Sequence, residues 1–153
     1  MGLIAELGDG PVAIDTALFI YFIEEHPVYL PLVESLFVEV TEGRLAAVTS
    51  AITLLEVLVV PYRAGDADLA RRYEALLTRS RGLTIVELTR DQLRAAAQLR
   101  GARPQMRTPD ALQLAAALSA RCTALVTNDR RMSLLPGLRI LQLGDHAARA
   151  AAG

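Results

Sequence analysis

Four acidic residues stand in stretches of sequence that hold no other charge. Asp15 is the only charged side chain between Gly10 and Ile23, Glu56 the only one between Leu45 and Tyr62, and Asp110 the only one between Thr108 and Ala120. Asp129 closes a charge-free stretch that starts at Cys122. A carboxylate in apolar surroundings is costly unless its pKa rises or something cationic meets it. Carboxylates gathered without histidine or thiol select hard cations, Mg2+ or Mn2+. Such an ion lowers the pKa of a bound water and offsets charge on a phosphoryl group under in-line attack. Hydrolysis of a phosphodiester by that route needs no covalent nucleophile.

Each acid also has a plain structural reading. Asp15 and Asp129 could cap the segments that follow them. Asp129 could pair with Arg130 or Arg131, and Asp110 could complement a helix dipole. Glu56 resists such a reading, because its neighbours at helical spacing are Ile52, Thr53, Val59 and Val60. No cap or arginine within that stretch accounts for it.

Composition removes most rival chemistries. The 153 residues carry 17 acidic and 16 basic side chains, and every basic one is arginine. Without lysine there is no P-loop and no Schiff-base chemistry. Receiver domains and haloacid-dehalogenase-like phosphatases lose the lysine beside their aspartates. One cysteine excludes a disulfide framework, and with two histidines a zinc site is disfavoured. No apolar run reaches the roughly 18 residues of a membrane span. The acidic N-terminal stretch is wrong for a signal peptide, so a soluble cytoplasmic protein without a membrane role is expected.

The elements that must position these acids can be read from periodicity. Pro11–Ile14 reads as a buried strand ending at Asp15, and Ala17–Glu25 as a helix stopped near His26-Pro27. A second helix is predicted over Tyr29–Glu42 and a strand over Leu45–Val48. Thr49 or Ser50 could cap a helix that Pro61 ends or kinks near Val60. Asp66 caps another helix, Leu83–Leu88 is a third strand, and Thr89 to Gln92 has capping-box spacing for a helix to about Arg100. Gly101–Arg107 reads as a loop. Thr108-Pro109 supplies a cap and a first-position proline for a helix running to about Ala120. Ala124–Val126 and Leu138–Leu143 complete five strands. Short apolar strands separated by helices predict a parallel sheet covered on both faces. Ligands bind such sheets beyond the carboxyl ends of the strands, where the strand order reverses. The tail from Ala147 to Gly153 reads as frayed.

Four segments in this order, VAIDTALFI (12–20), SAITLLEV (50–57), TPDALQLAAAL (108–118) and LVTNDRRM (125–132), resemble the PIN domain. More narrowly, the chain is similar to the VapC-like ribonuclease toxins of bacterial type II toxin–antitoxin pairs. The resemblance covers about residues 11–143. It implies a single domain over residues 1–153 with a three-layer α/β/α fold around a central parallel sheet. It also implies a Mg2+- or Mn2+-dependent endoribonuclease, commonly a homodimer, with RNA as substrate and an antitoxin protein as partner. The resemblance assigns catalysis and metal binding to Asp15, Glu56, Asp110 and Asp129, and a supporting hydroxyl or amide to Thr127 and Asn128. Gln113 stands where relatives often carry histidine and is placed to hydrogen-bond near the site. Asp15-Thr16-Ala17 departs from the frequent Asp-Thr-Asn or Asp-Thr-Ser, which removes one secondary contact.

An RNA backbone needs cationic groups beside the acids. Arg100, Arg103 and Arg107 precede Asp110, while Arg130 and Arg131 follow Asp129. The arginine fork suits phosphate, although each could be ordinary solvated surface. Phe19, Tyr21, Phe22, Tyr29 and Phe37 read as core or interface, and the run Val57–Val60 exceeds one inward stripe, leaving an apolar face for a second subunit or an antitoxin helix. His26 and His146 read as surface residues and Cys122 as a small buried hydrophobe. Two other readings stay open: a non-catalytic PIN-like module that binds RNA or protein, and a metal-dependent DNA nuclease or phosphatase using the same acids. With the four site acids set aside, 17 acidic residues become 13 against 16 arginines, so the near-neutral total does not argue against a nucleic-acid substrate.

Overall fold

The computed structural model describes residues 2–152, with side chains as far as Ala147. Helix α1 (Leu3–Leu7), which the sequence did not announce, precedes strand β1 (Val12–Ile14) and helix α2 (Thr16–Ile23). Helix α3 (Leu30–Thr41), strand β2 (Ala47–Ser50), helix α4 (Ile52–Arg63), helix α5 (Ala67–Arg79) and strand β3 (Leu83–Val86) follow. Helices α6 (Arg90–Ala102) and α7 (Thr108–Ser119) lead to strand β4 (Ala124–Thr127), strand β5 (Arg139–Gln142) and helix α8 (Leu143–Ala152).

The five strands form one parallel sheet in the order β3-β2-β1-β4-β5. Its core strands are too short and too apolar to alternate between core and solvent. They alternate between two cores instead. Val12, Ile14, Ala47, Ala124 and Val126 pack with Leu18, Phe19, Leu36, Tyr73 and Leu77 on one face. Ala13, Val48 and Leu125 pack with Ala96, Leu112, Leu114 and Ala115 on the other. The result is the expected three-layer arrangement, with α6 and α7 supplying the second face. Chain order runs outward from β1 to β3, then crosses to β4 on the opposite side of β1. The strand order therefore reverses between β1 and β4, which is where an open parallel sheet forms its crevice. Among the described residues no helix is long and apolar enough to cross a membrane.

Several boundaries differ from the sequence reading for identifiable reasons. The second strand starts at Ala47, because Arg44 and Leu45 spend their backbone N–H groups on Glu39 O at the end of α3. Helix α4 does not stop at Pro61 but continues to Arg63. Neither Thr49 nor Ser50 is the cap of α4, which is Ala51: Thr49 donates its hydroxyl to Ile14 O, 2.8 Å away, and the Ser50 hydroxyl accepts from Ile52 N. Only half of the capping box forms: Thr89 Oγ1 accepts from Gln92 N, whereas Gln92 Nε2 reaches Ala115 O. Thr108 is the first helical residue of α7 and not its cap, which is Arg107. Cys122 is buried as expected, and burial pushes its thiol up to about 11. His146 is not a surface residue. It is buried, with Nε2 3.0 Å from Glu6 Oε2 and Nδ1 3.2 Å from Gln142 O, joining α8 to α1. Backbone helix extends through Ala152, while the side chains of 148–152 and all of Gly153, where fraying was expected, lie outside the described residues.

Candidate functional site

Asp15 is the first residue beyond β1. Its N–H donates to Val126 O at 3.0 Å, so the ladder with β4 continues one residue past the strand and directs the side chain over the sheet edge. Asp15 is the N-cap of α2, but its Oδ1 accepts only from the adjacent Thr16 N, at 2.9 Å. Its Oδ2 accepts from the Thr127 hydroxyl at 2.6 Å. Thr127 is the last residue of β4 and its Oγ1 also accepts from Asp129 N, 3.1 Å away. One buried hydroxyl thus ties the two strand-end aspartates to each other. Gln142 on β5 adds a bond from Nε2 to Asp129 O, which holds the turn after β4.

Asp110 sits in the first turn of α7, where the helix dipole favours a negative charge. Glu56 lies in the second turn of α4, with Oε1 accepting from the Thr16 hydroxyl at 2.7 Å. All four acids line one open cavity of about 490 Å3, together with Thr16, Tyr21, Arg107, Asn128, Arg130 and Arg131. The cavity lies over the crevice between β1 and β4, so topology and charge point to the same place.

The acids divide into two electrostatic classes. Burial raises the Asp15 carboxyl above its ordinary value, against the Thr127 and Thr16 hydrogen bonds, and the nearby Asp110 and Asp129 charges raise it further. Burial likewise raises Glu56, with Asp15 and Asp110 adding to the effect and the Thr16 hydroxyl opposing it. Asp129 goes the other way. Burial would raise it, but hydrogen bonds from the Arg131 side chain and N–H, then from Arg107, bring it down to about 2. Among the described residues, the cavity therefore holds two carboxylates without an arginine ion pair, Asp15 and Glu56, beside two that have one, Asp110 and Asp129.

Behind the acids lies a buried network of hydroxyls and one amide. Gln113 Nε2 donates to Thr53 Oγ1 at 2.7 Å and to Thr16 Oγ1 at 3.4 Å, while its Oε1 accepts from Ser50 N at 3.1 Å. Thr53 Oγ1 lies 3.1 Å from Thr16 Oγ1 and 2.7 Å from Thr49 Oγ1. Gln113 thus reaches the neighbourhood of the acids from one turn below Asp110. The sequence reading gave Thr49 only as a possible helix cap and assigned no site role to Thr16 or Thr53. Part of their signal was present: Thr53 and Glu56 stand three residues apart on α4 and so share one helical face.

The arginines separate. Arg103 does not line the cavity. Arg100 is committed to Met106 O and the Thr108 hydroxyl, closing the loop before α7. Arg130 lines the cavity while paired with Asp145. Arg131 grips Asp129, with its N–H and Nε at 2.9 and 3.2 Å from Oδ1. Arg107 donates to both Asp110 and Asp129. Asn128 points its amide away from the acids, donating to the Tyr21 hydroxyl and accepting from Gly144 N. Of the aromatic residues, Phe19, Phe22 and Phe37 pack on one another, whereas Tyr21 reaches the cavity wall.

The donor set is all oxygen, with no histidine or thiol on the cavity wall, and two of its acids are raised by burial and mutual repulsion. That chemistry fits a hard divalent cation. Among the described residues, no three potential ligands already stand in coordinating geometry, and the Arg107 guanidinium engages both Asp110 and Asp129.

A family model for the PIN domain matches residues 12–151. No curated protein matches the chain in sequence. Among solved structures, the fold is similar to VapBC2 from Rickettsia felis bound to a DNA fragment from their promoter. That match has a TM-score of 0.66 and 18% identity and covers 86% of this chain and 97% of that one. It is also similar to VapC20 from Mycobacterium tuberculosis, a sarcin–ricin loop cleaving toxin, with a TM-score of 0.64 and 14% identity over 79% of this chain and 92% of that one. A third likeness is to DNA-bound VapBC from Salmonella typhimurium, with a TM-score of 0.58 and 23% identity over 86% and 97%. These identities speak to the fold, and the family model spans all five strands and the residues at their carboxyl edge. The chain belongs to the PIN domain family.

Proposed function

We propose that the chain is a metal-dependent endoribonuclease and the toxin of a toxin–antitoxin pair. One observation carries this reading: four carboxylates from four different elements line one cavity at the point where the strand order reverses. Asp15, Asp110 and Asp129 would hold Mg2+ or Mn2+, with Glu56 joining directly or through a water. The bound ion supplies water activation and charge neutralisation at the phosphate.

The chain's own residues do the positioning. Thr127 fixes the rotamer of Asp15 and the start of the turn that carries Asp129. Thr16 aims Glu56 and is itself backed by Thr53 and Gln113. Arg130 and Arg131 stand at the exposed rim, where phosphates of a strand outside the cleaved bond can be met without entering the acidic floor. RNA is favoured as substrate by the likeness to VapC20, a sarcin–ricin loop cleaving toxin.

A protein partner is favoured by the other likenesses, which include a toxin–antitoxin complex and two VapBC structures. The chain offers apolar surface for it. Leu55, Val60 and Tyr62 on α4 are more than half exposed. A homodimer would use surface of the same kind.

The test is cleavage of a panel of structured RNAs with Mg2+ or Mn2+, against a chelator control and the Asp129→Asn variant. Metal-dependent cleavage that the variant lacks is expected. Cleavage surviving both the chelator and the substitution would remove the proposal, and cleavage confined to DNA would reassign the substrate.

A further inference from the structure

Among the described residues, Arg107 is the one basic residue that holds two cavity acids from different elements. Its Nε and Nη2 stand 2.9 and 2.8 Å from Asp110 Oδ2, and Nη2 also reaches Asp129 Oδ2. The residue is the N-cap of α7, so its side chain folds back over the start of the helix that carries Asp110. The contact crosses the cavity floor and lies between the ends of α7 and β4.

The two acids do not depend on it equally. Asp129 is held from its other side by Arg131, which binds Oδ1 through both N–H and Nε. Asp110 has a favourable place at a helix N-terminus without any arginine. Among the described residues, Asp15 and Glu56 receive no arginine hydrogen bond and are bound by hydroxyls and a backbone N–H. Arg107 therefore gives a single positive charge to a four-carboxylate cavity, placed where two carboxylates could share one cation. Its side chain is 42% exposed, so it has a route toward the cavity mouth and its ion pairs are screened.

We propose that Arg107 is an internal cation of the carboxylate cluster: it holds the position between Asp110 and Asp129, yields that position to a divalent ion, and then faces the phosphodiester that enters the cavity. This inference rests on the metal-dependent reading above. A doubly charged ion competes well for the two carboxylates because the guanidinium brings one charge and is half in water. Once released, the same guanidinium suits bidentate contact with a phosphate. Before release it lowers the apparent metal affinity in proportion to the fraction of molecules in the open arrangement. Metal and phosphate binding become coupled, and by linkage each strengthens the other.

The experiment is Mn2+ titration of the full chain without RNA, by calorimetry and by thermal melting, for wild type, Arg107→Met and Arg107→Lys. Methionine keeps much of the stem and removes the charge. Lysine keeps the charge and loses the fork. Arg107→Met should bind Mn2+ about fivefold more tightly, the size of one partly exposed ion pair. Its melting temperature should rise more than that of wild type at equal Mn2+ and be no higher without metal. Arg107→Lys should fall between the two, which guards against a folding defect in the methionine variant. With Mn2+ saturating, Arg107→Met should raise the KM for RNA. Equal or weaker Mn2+ binding by Arg107→Met, with wild type binding normally, would make Arg107 a fixed strut and overturn the inference alone. Absence of Mn2+ binding by all three proteins would overturn the metal-dependent reading and the inference with it.

Discussion

The Thr127 hydroxyl donates to Asp15 Oδ2 at 2.6 Å, joining the ends of the two strands between which the sheet order reverses. The bond opposes burial, which drives the Asp15 carboxyl toward its neutral form. Thr127 Oγ1 also accepts from Asp129 N, so a single hydroxyl orients two of the four acids. Thr127→Val keeps the shape and removes both functions. Without the donor, the Asp15 carboxyl moves higher still, and a higher pH is needed to ionise it. The acidic limb of the pH–rate profile for RNA cleavage should move to higher pH in Thr127→Val, while Thr127→Ser keeps the wild-type limb. An unchanged limb in the valine variant would mean that the hydroxyl does not tune Asp15.

Asp15 and Asp129 act on stability with opposite signs. Asp15 is raised above 3.8 in the folded state, so the folded chain holds its proton longer than the unfolded chain. Its contribution is present at low pH and is lost as pH rises through the folded value. Asp129, lowered from 3.8 to about 2, contributes above 3.8 and is lost as pH falls toward 2. In chelator, Asp15→Asn should therefore melt above wild type at pH 7, by about 2–4 °C for each ~1 kcal/mol of relieved charge burial. The same variant should lose RNA cleavage by at least about a hundredfold. Melting curves across pH settle the first claim: a lower melting temperature for Asp15→Asn at pH 7 would show that the ionised carboxylate is a net stabiliser.

The sheet and the four acids were legible because both rest on local contrast. Short apolar runs between helices leave few architectures, and a lone charge such as Glu56 among leucines and valines is conspicuous. The arginines were not legible. Nothing in the residue types at 100, 103, 107, 130 and 131 distinguishes one that closes a loop, one that grips a carboxylate and one off the cavity. That division is made by which group each side chain can reach, Met106 O for Arg100 and carboxylates for Arg107, Arg130 and Arg131. His146 was misread for a related reason. Its partner Glu6 is nearly a whole chain away, on a helix too short to show a period. The threonine and glutamine network fell between the two cases: spacing placed Thr53 and Glu56 on one face, but only packing against α7 brought Gln113 to them.

Gly82 fixes the turn into β3 and with it one edge of the sheet. Its φ is +80°, and a Cβ there would lie 2.3 Å from Val40 O. The backbone carbonyl closes the space that a side chain would need, and the left-handed conformation disfavours one in any case. Gly82→Ala should cost about 3 kcal/mol, combining strain with a forced shift of α3. Denaturant unfolding measures it directly, and a loss below ~1 kcal/mol would show that the α3–β3 contact is free to move.

Gln113 links α7 to the starts of α2 and α4, the helices next to Asp15 and bearing Glu56. Its Oε1 takes the Ser50 N–H and its Nε2 serves Thr53 and Thr16, all in buried surroundings. Gln113→Leu fills the same space but removes the amide's acceptor from Ser50 N and its donor from the two hydroxyls. Breaking a buried hydrogen-bond group of this kind costs about 2–3 kcal/mol, or roughly 5–10 °C in melting temperature for a chain of this size. Thr53→Val removes one member of the same network. If the network acts as a unit, the double variant should lose less stability than the two singles added together. Because Thr16 aims Glu56, both single variants should lower kcat for RNA more than they raise KM, even at temperatures where each is fully folded. Strict additivity in stability, with kcat unchanged, would reduce Gln113 to a packing residue.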